Sequence, residues 1–418
     1  MTALDRDTLE QLASTVSPAR ADRMRAAFDV FEKLDLPTGA EEEWRYVDLA
    51  LDLSSIPLAT APGMPLAPGA FLSAIDRRAA SARLVDGHVT DTESGSDVTL
   101  ERLAESDLVV DGVVPDDLDV FAAARAAFGT DGVRVSVPAG VTPEAPVVLD
   151  VQATAAQASF PTILVEAASN SELSVVVVYR SPADVPALVS PLVSIDAADG
   201  ARVRFVAVQN FGFATTSIIH QRARLGRDAS LRFGEVGLGG IVGRLDLGVL
   251  HEGDGSSSEV VGLYFGEGSQ TLDYRLVLTH RGRNTSSDVF LKGAVEDHAE
   301  SVFTGLLKIE KDATRTSAFE TNRNLVLSDG AVAHSVPNLE ILCNDVICGH
   351  GSSVGPLEED HVYYLQSRGL SRERAERLLI KGFFQEIIDR LPVSGLGDPV
   401  AREVFSRFVQ AQEEGRVA

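Results

Sequence analysis

The sequence predicts a mainly β fold: a parallel β-helix, flattened into two sheets, between helical regions at the N- and C-terminal ends. Three observations carry this expectation. From about residue 132, short runs of Val, Leu, Ile and Phe alternate with polar residues, and Gly, Asn, Asp and Ser punctuate them. Apolar residues that open such runs recur as Leu173, Val203, Leu231, Val260, Val289, Ala318 and Ile347. A second series runs Ile195, Leu225, Leu250, Leu278, Ile309 and Leu339. Two short strands per period of about 29 residues fit a coil that stacks each strand on its equivalent one turn later. An antiparallel sandwich, the other fold with short strands, has loops of more variable length. Finally, helical periodicity is confined to the two ends of the chain. The expected division is residues 1–130 helical and mixed, 131–355 β-helix, and 356–418 helical. An open-ended coil exposes edge strands, which must be capped or paired with a partner.

The elements follow in order. Residues 5–36 read as helical. Ser17-Pro18 supplies an N-cap and a proline at the first helical position. Met24, Phe28 and Phe31, with Ala27 and Leu34, make one apolar stripe that reads as core packing, and Pro37 stops it. Glu41-Glu42-Glu43-Trp44-Arg45-Tyr46 is acidic and then aromatic, and 54–70 is a Pro-, Ala- and Gly-rich linker. In the mixed stretch 71–130, short strands are expected around Leu103 and Leu108-Val109-Val110, and a helix from Val120 to Phe128. Strands are expected at 133–137, 173–177, 203–205, 231–233 and 289–291. After Gly355, Ser371 caps a helix whose stripe is Ala375, Leu378, Leu379, Gly382, Phe383 and Ile387, ending at Pro392. Asp398-Pro399 opens another, with Ala401, Val404, Phe405, Phe408 and Val409 on one face.

Composition narrows the function. Among 418 residues, 37 are basic and 61 acidic, a net charge of −24. Such a chain repels phosphate backbones, which argues against nucleic acid as a partner. No run of about 18 apolar residues suggests a membrane span, and the first residues lack a basic-then-apolar signal, so a soluble cytoplasmic protein is expected. Two cysteines, Cys343 and Cys348, exclude a disulfide framework. Walker loop, GxGxxG after a strand and HExxH are all missing from the sequence.

The residues with most chemistry lie between Asn322 and His350: Asp329, His334, Cys343, Asp345, Cys348 and His350. On a strand, Cys348 and His350 are two apart and share a face, so they can share a metal. Cys343 falls on the opposite face if the strand runs unbroken. The plainer alternatives are two packed thiols and a structural histidine. Gly349 and Gly351 flank His350 and suggest close approach of another backbone, or a bend. Glu358-Glu359-Asp360 reads as a solvated first helical turn, and Glu296, Asp297 and His298 as a turn between coils.

One string is specific enough to recognise. It runs Lys311-Asp312-Ala313-Thr314-Arg315-Thr316, Asn322-Arg323-Asn324-Leu325-Val326-Leu327-Ser328 and Pro337-Asn338-Leu339-Glu340-Ile341. It continues with Asn344-Asp345-Val346-Ile347-Cys348-Gly349-His350-Gly351-Ser352-Ser353-Val354-Gly355 and Tyr363-Tyr364-Leu365-Gln366-Ser367-Arg368-Gly369. Leu36-Pro37-Thr38 and Glu43-Trp44-Arg45-Tyr46 extend the likeness to the N-terminal region. The chain resembles the SufB/SufD family of iron–sulfur cluster assembly scaffolds, and its SufD branch in particular.

The resemblance implies a right-handed parallel β-helix that pairs with SufB. It also implies C-terminal helices that bind the SufC ATPase, with Leu379, Phe383, Phe405 and Phe408 as candidate contacts. A transient iron–sulfur cluster, or iron, would be shared with SufB at the interface. His350 takes the position of the family's proposed ligand and Cys348 that of its neighbouring cysteine. The chain would be a scaffold component and no enzyme of its own; whether a flavin binds the complex stays open. There are departures: Gly349 replaces Ser or Thr, and Ser352-Ser353 replace Ala-Thr. His334-Ser335-Val336-Pro337 looks more like SufB, yet the position of SufB's cluster cysteine holds Asn322. A SufB-like paralogue, a scaffold without a metal role, and a carbohydrate-active β-helix enzyme are the alternative readings.

Overall fold

The computed structural model describes residues 3–413, with side chains through residue 409. Helices Arg6–Ala13 and Pro18–Phe31 form the start of the chain. Asp5 caps the first by accepting from the Thr8 N–H at 2.9 Å. Ser17 precedes Pro18 as expected, but its hydroxyl makes no capping bond, and the helix ends at Phe31, short of Pro37. Leu9, Met24, Ala27 and Phe28 pack with helix Val120–Phe128 and with Ile218 and Val242 on the outside of a sheet.

The strands expected near Leu103 and Leu108 do not form. Leu103 opens a single 3-10 turn, Leu103–Glu105, and 108–110 is irregular. The strands of this region are Ala80–Val85, His88–Glu93 and Thr99–Arg102. Asp86 (φ 50°) and Gly87 (φ 83°) join the first two, both in the left-handed region that a tight two-residue hairpin demands. Ala80–Val85 then pairs in parallel with Val147–Gln152 and extends one sheet toward the N-terminus.

That sheet continues in parallel through Glu172–Arg180, Arg202–Asn210, Ser230–Gly237, Ser257–Gly266, Ser286–Val295 and Thr316–Val326 to Val346–Gly355. The other runs through Gly132–Val137, Thr162–Ala167, Leu192–Ala197, Thr216–Leu225, Val242–His251, Thr271–His280 and Glu300–Ile309 to Val332–Ile341. The chain alternates between the sheets, so this is a parallel β-solenoid of two faces, as expected. At one of the two turns of successive coils a residue holds positive φ: Asn170, Gly200, Asp228, Gly255, Asn284 and Arg315. Their spacing, 27 to 31 residues, is the coil length. Each accepts the strain to bond its N–H to the next coil, as Gly200 does to the Arg227 carbonyl at 2.8 Å.

Inside, equivalent side chains stack. The Phe205 and Phe233 rings lie 5.6 Å apart and nearly parallel. The His251 and His280 rings lie 4.2 Å apart, each bonded through both nitrogens to Ser or Thr hydroxyls. Val203, Leu231 and Val260 lie on successive stacked strands, as the spacing predicts, although the register shifts: Leu231 pairs with Ser258 and Val260 with Phe233. Two anchors fall on the wrong face. Ile347 pairs with Ser317 and points outward, 69% exposed, while Cys348 stacks on buried Ala318. Leu250 pairs with Arg224 and also points outward, next to inward Val249. Neither lies under a covering helix: Ile347 is on the open end of its sheet, and Leu250 is beside exposed Arg224.

On the first sheet the cover is Ala70–Ser73, Arg372–Ile388 and Gly397–Glu413, packed over Val176, Val206, Val236 and Leu263. Arg390 pins it by bonding Glu259 and Asp288, and Arg407 by bonding Glu267 and Asn210. On the second sheet an N-terminal strap crosses the coils. Trp44 is buried under the Arg244 guanidinium, 3.8 Å from the ring, and Arg244 also bonds Asp273 and the Glu43 carbonyl. Two residues on, Tyr46 stacks on His334 at 4.1 Å, and His334 Nε2 lies 2.9 Å from Glu300. Among the described residues no helix is long and apolar enough to cross a membrane.

Candidate functional site

The candidate site is the C-terminal end of the solenoid. Val332–Ile341 and Val346–Gly355 are the last strands of their sheets, so each has a row of backbone N–H and C=O groups with no strand beyond it. Helices shield the earlier coils but leave this one open. Val332, Ile341, Leu342, Ile347 and Val354 are exposed around it, an apolar concentration with no cover from this chain.

Strand alternation assigns the side chains. Val346 and Cys348 face the core. His350 and Ser352 follow in the same row, above Glu320 and Asn322 of the preceding strand. The two candidate ligands therefore share a face, as their spacing predicts. Cys348 is half-buried, and burial pushes its thiol pKa up, so the nucleophilic thiolate is disfavoured. The His350 side chain is exposed and, among the described residues, has no hydrogen-bond partner. Gly349 and Gly351 open outward: a methyl group at either would touch little more than the Phe319 ring and the Thr321 hydroxyl. Cys343 does not lie on this strand. It sits in the turn between the last two strands, buried in the same core as Cys348's neighbours. Both cysteines are free thiols.

Asn322 is fully buried and bonded throughout. Its amide donates to the Tyr264 hydroxyl at 3.1 Å, and its oxygen accepts from Asn324 (2.6 Å) and Ser335 (2.8 Å). A neutral polar network thus fills this part of the interior. Beside it lies a residue that the sequence reading missed. Glu320 is 1% exposed, neither carboxylate oxygen has a partner, and burial pushes its pKa up to about 8. Its side chain reaches across to Gly305 on the other sheet, where any β-carbon would collide with it. The available signal was phase: Glu320 is two residues from inward Ala318 and two from inward Asn322. Among the described residues no three His, Cys, Asp or Glu side chains gather as a metal site.

The C-terminal candidates separate. Leu379 and Phe383 are half-buried and line a cleft of about 1080 Å³ with Arg323, Ser353 and His361. Phe405 is 37% exposed. Phe408 is 1% exposed and packs in the chain's own core. In helix Arg372–Ile388, Ala375 and Ile387 of the predicted stripe are buried and Leu379 and Phe383 half-buried, whereas Leu378 is exposed and the deeply buried Ile380 and Phe384 lie outside the stripe.

Residues 150–383 match the family described as SUF system FeS cluster assembly, SufBD core domain. The chain belongs to the SufBD family. The SufBD match covers more than half of the sequence and contains the whole open end. A SufBD family iron–sulfur cluster assembly protein of Mycobacterium tuberculosis is 31% identical over 397 residues, 93% of this chain and 92% of that protein. The iron–sulfur cluster assembly protein SufD of Bacillus subtilis is 31% identical over 309 residues, 70% of this chain and 68% of the relative. A SufBD family protein of Synechocystis is 27% identical over 431 residues, 95% of this chain and 93% of that relative.

Proposed function

We propose that the chain is a SufD-type scaffold subunit of cytoplasmic iron–sulfur cluster assembly. Its open end joins the matching end of a SufB-type subunit, and its C-terminal helices hold a SufC-type ATPase, so that ATP hydrolysis belongs to the partner. The nascent cluster is substrate here. It forms at the junction, with His350 supplying an imidazole and Cys348 at most an auxiliary thiol. The observation that carries this reading is the uncovered terminal coil, which presents an unpartnered histidine amid exposed Ile347, Val354 and Ile341. One or two ligands cannot close a cluster site, so the rest come from the other subunit. The buried amide of Asn322 fits that division of labour. At the ATPase surface, Leu379, Phe383 and Phe405 supply the contact, while Phe408 supports them from within.

The experiment is cluster absorbance and iron content of co-purified complexes. The isolated chain should hold no stable cluster and the assembled complex should. His350→Ala should leave assembly intact and lower cluster yield, and Cys348→Ser should do less. Full wild-type loading in the His350 variant would refute the ligand role.

A further inference from the structure

We propose that Glu320 is a second metal ligand contributed by this chain, so that His350 and Glu320 form half of a site for a divalent transition-metal ion, ferrous iron foremost, at the open end. This rests on the reading of His350 given above and adds to it a residue and a ligand chemistry.

The two residues are register partners on adjacent parallel strands and lie in the same inward row. Neighbouring strands run about 4.8 Å apart. That spacing brings both side chains within reach of one ion, whose bonds to nitrogen and oxygen are about 2.0–2.2 Å. Glu320 is buried, yet both its oxygens are unpartnered. Buried carboxylates are ordinarily paired or bound to metal. The polar groups nearest in its row do not help: Asn322, Asn324, Tyr264 and Ser335 bond one another. One coil earlier the same column holds apolar Val289, and across the interior the position is emptied to Gly305. The carboxylate lies against Gly305, and the next position beyond it along the solenoid is His350 at the uncovered end.

Imidazole with carboxylate is a borderline and a hard ligand, a pair that suits ferrous iron, manganese or zinc rather than a soft cuprous ion. Two ligands leave the other positions to water and to the covering subunit. On binding, the carboxyl proton is released to solvent. Cys348 lies in the same row but over Ala318, and the half-site does not require it.

The test is anaerobic titration of the metal-free complex, full chain with its SufB- and SufC-type partners, using Co²⁺ as the spectroscopic probe. Affinity and the visible absorption bands are read for wild type, Glu320→Gln, Glu320→Asp and His350→Ala. Glu320→Gln keeps the shape and should weaken Co²⁺ binding at least about tenfold, alter the bands and leave assembly and melting temperature undiminished. Glu320→Asp, which restores a carboxylate, should recover part of the affinity. Wild-type binding and spectrum in Glu320→Gln, with weakening in His350→Ala, would overturn the role of Glu320 and leave that of His350 standing. Equal weakening in the Gln and Asp variants would assign the loss to packing and also overturn it. Wild-type binding in every variant would remove both roles.

Discussion

Glu235 gives the most direct test of how the solenoid interior is built. It lies on the inward face of Ser230–Gly237, 3% exposed, between register partners Ala207 and Gly262. One carboxylate oxygen has no partner. Burial pushes its pKa from the ordinary 4.5 up to about 8. The unfolded chain, whose carboxyl ionises near 4.5, releases this proton at pH 7 while the folded chain keeps it. A carboxyl with a raised folded pKa contributes its full stability below the unfolded value. That contribution is lost as pH rises toward the folded value. Over the 2.5 pH units from 4.5 to 7, at about 1.36 kcal/mol per unit, the loss is about 3 kcal/mol. Glu235→Gln cannot ionise and escapes it. Its own packing cost does not depend on pH and drops out when the comparison is made across pH. Thermal melts of both proteins at pH 4, 5, 6, 7 and 8 should show the variant gaining steadily on the wild type, with little further gain above pH 8. A difference in melting temperature that is constant with pH, or that shrinks as pH rises, would refute the buried, unpaired carboxyl.

The stacked histidines run the other way. Burial holds His280 near a pKa of about 4 and drives His251 well below its ordinary value. Stability is therefore intact above about pH 6.5 and lost as protons are taken up by the unfolded chain below it; for His280 alone the loss at pH 5 is about 2 kcal/mol. A His280→Gln variant should lose less stability than wild type between pH 7 and 5, which acid melts read directly. At the open end, Ile347→Lys should leave the unfolding free energy of the isolated chain within about half a kcal/mol of wild type, because the side chain is 69% exposed. The same change should abolish association with a SufB-type partner on size exclusion. An undiminished complex would place the junction elsewhere.

The coil length was legible because stacking forces equivalent residues to recur, whatever their identity. The register was not, because apolarity marks both faces wherever a helix covers the outside. Ile347 and Leu250 open their runs as apolar residues yet point outward without a helix over them, and apolarity alone does not reveal that. The left-handed turn residues, from Asn170 to Arg315, mark the same period without this ambiguity. The hairpin at Asp86-Gly87 carried its own Asp-Gly signal between alternating apolar residues, and reading it would have placed the two strands assigned instead to Leu103 and Leu108. At the candidate site, Cys348 and His350 were placed on one face by spacing alone. Glu320 was passed over because an acidic residue inside an alternating run ordinarily faces water. Cys343 is the packed core thiol of the plainer reading, and the opposite-face placement assumed an unbroken strand that the turn in fact interrupts.

The strap has a consequence for biosynthesis. Tyr46 rests on a histidine translated about 290 residues after it. At ordinary elongation rates of about 5–20 residues per second, some 15 to 60 s separate the two rings on the ribosome. A solenoid can propagate coil by coil during that time, each strand templating the next. Trp44 finds Arg244 part-way through, but Tyr46 has nothing to close on until Val332–Ile341 is laid down. The last coil is thus fastened by a segment made long before it, and only once Val332–Ile341 has been laid down. A product that stops short of His334 stacks its coils yet lacks this fastening.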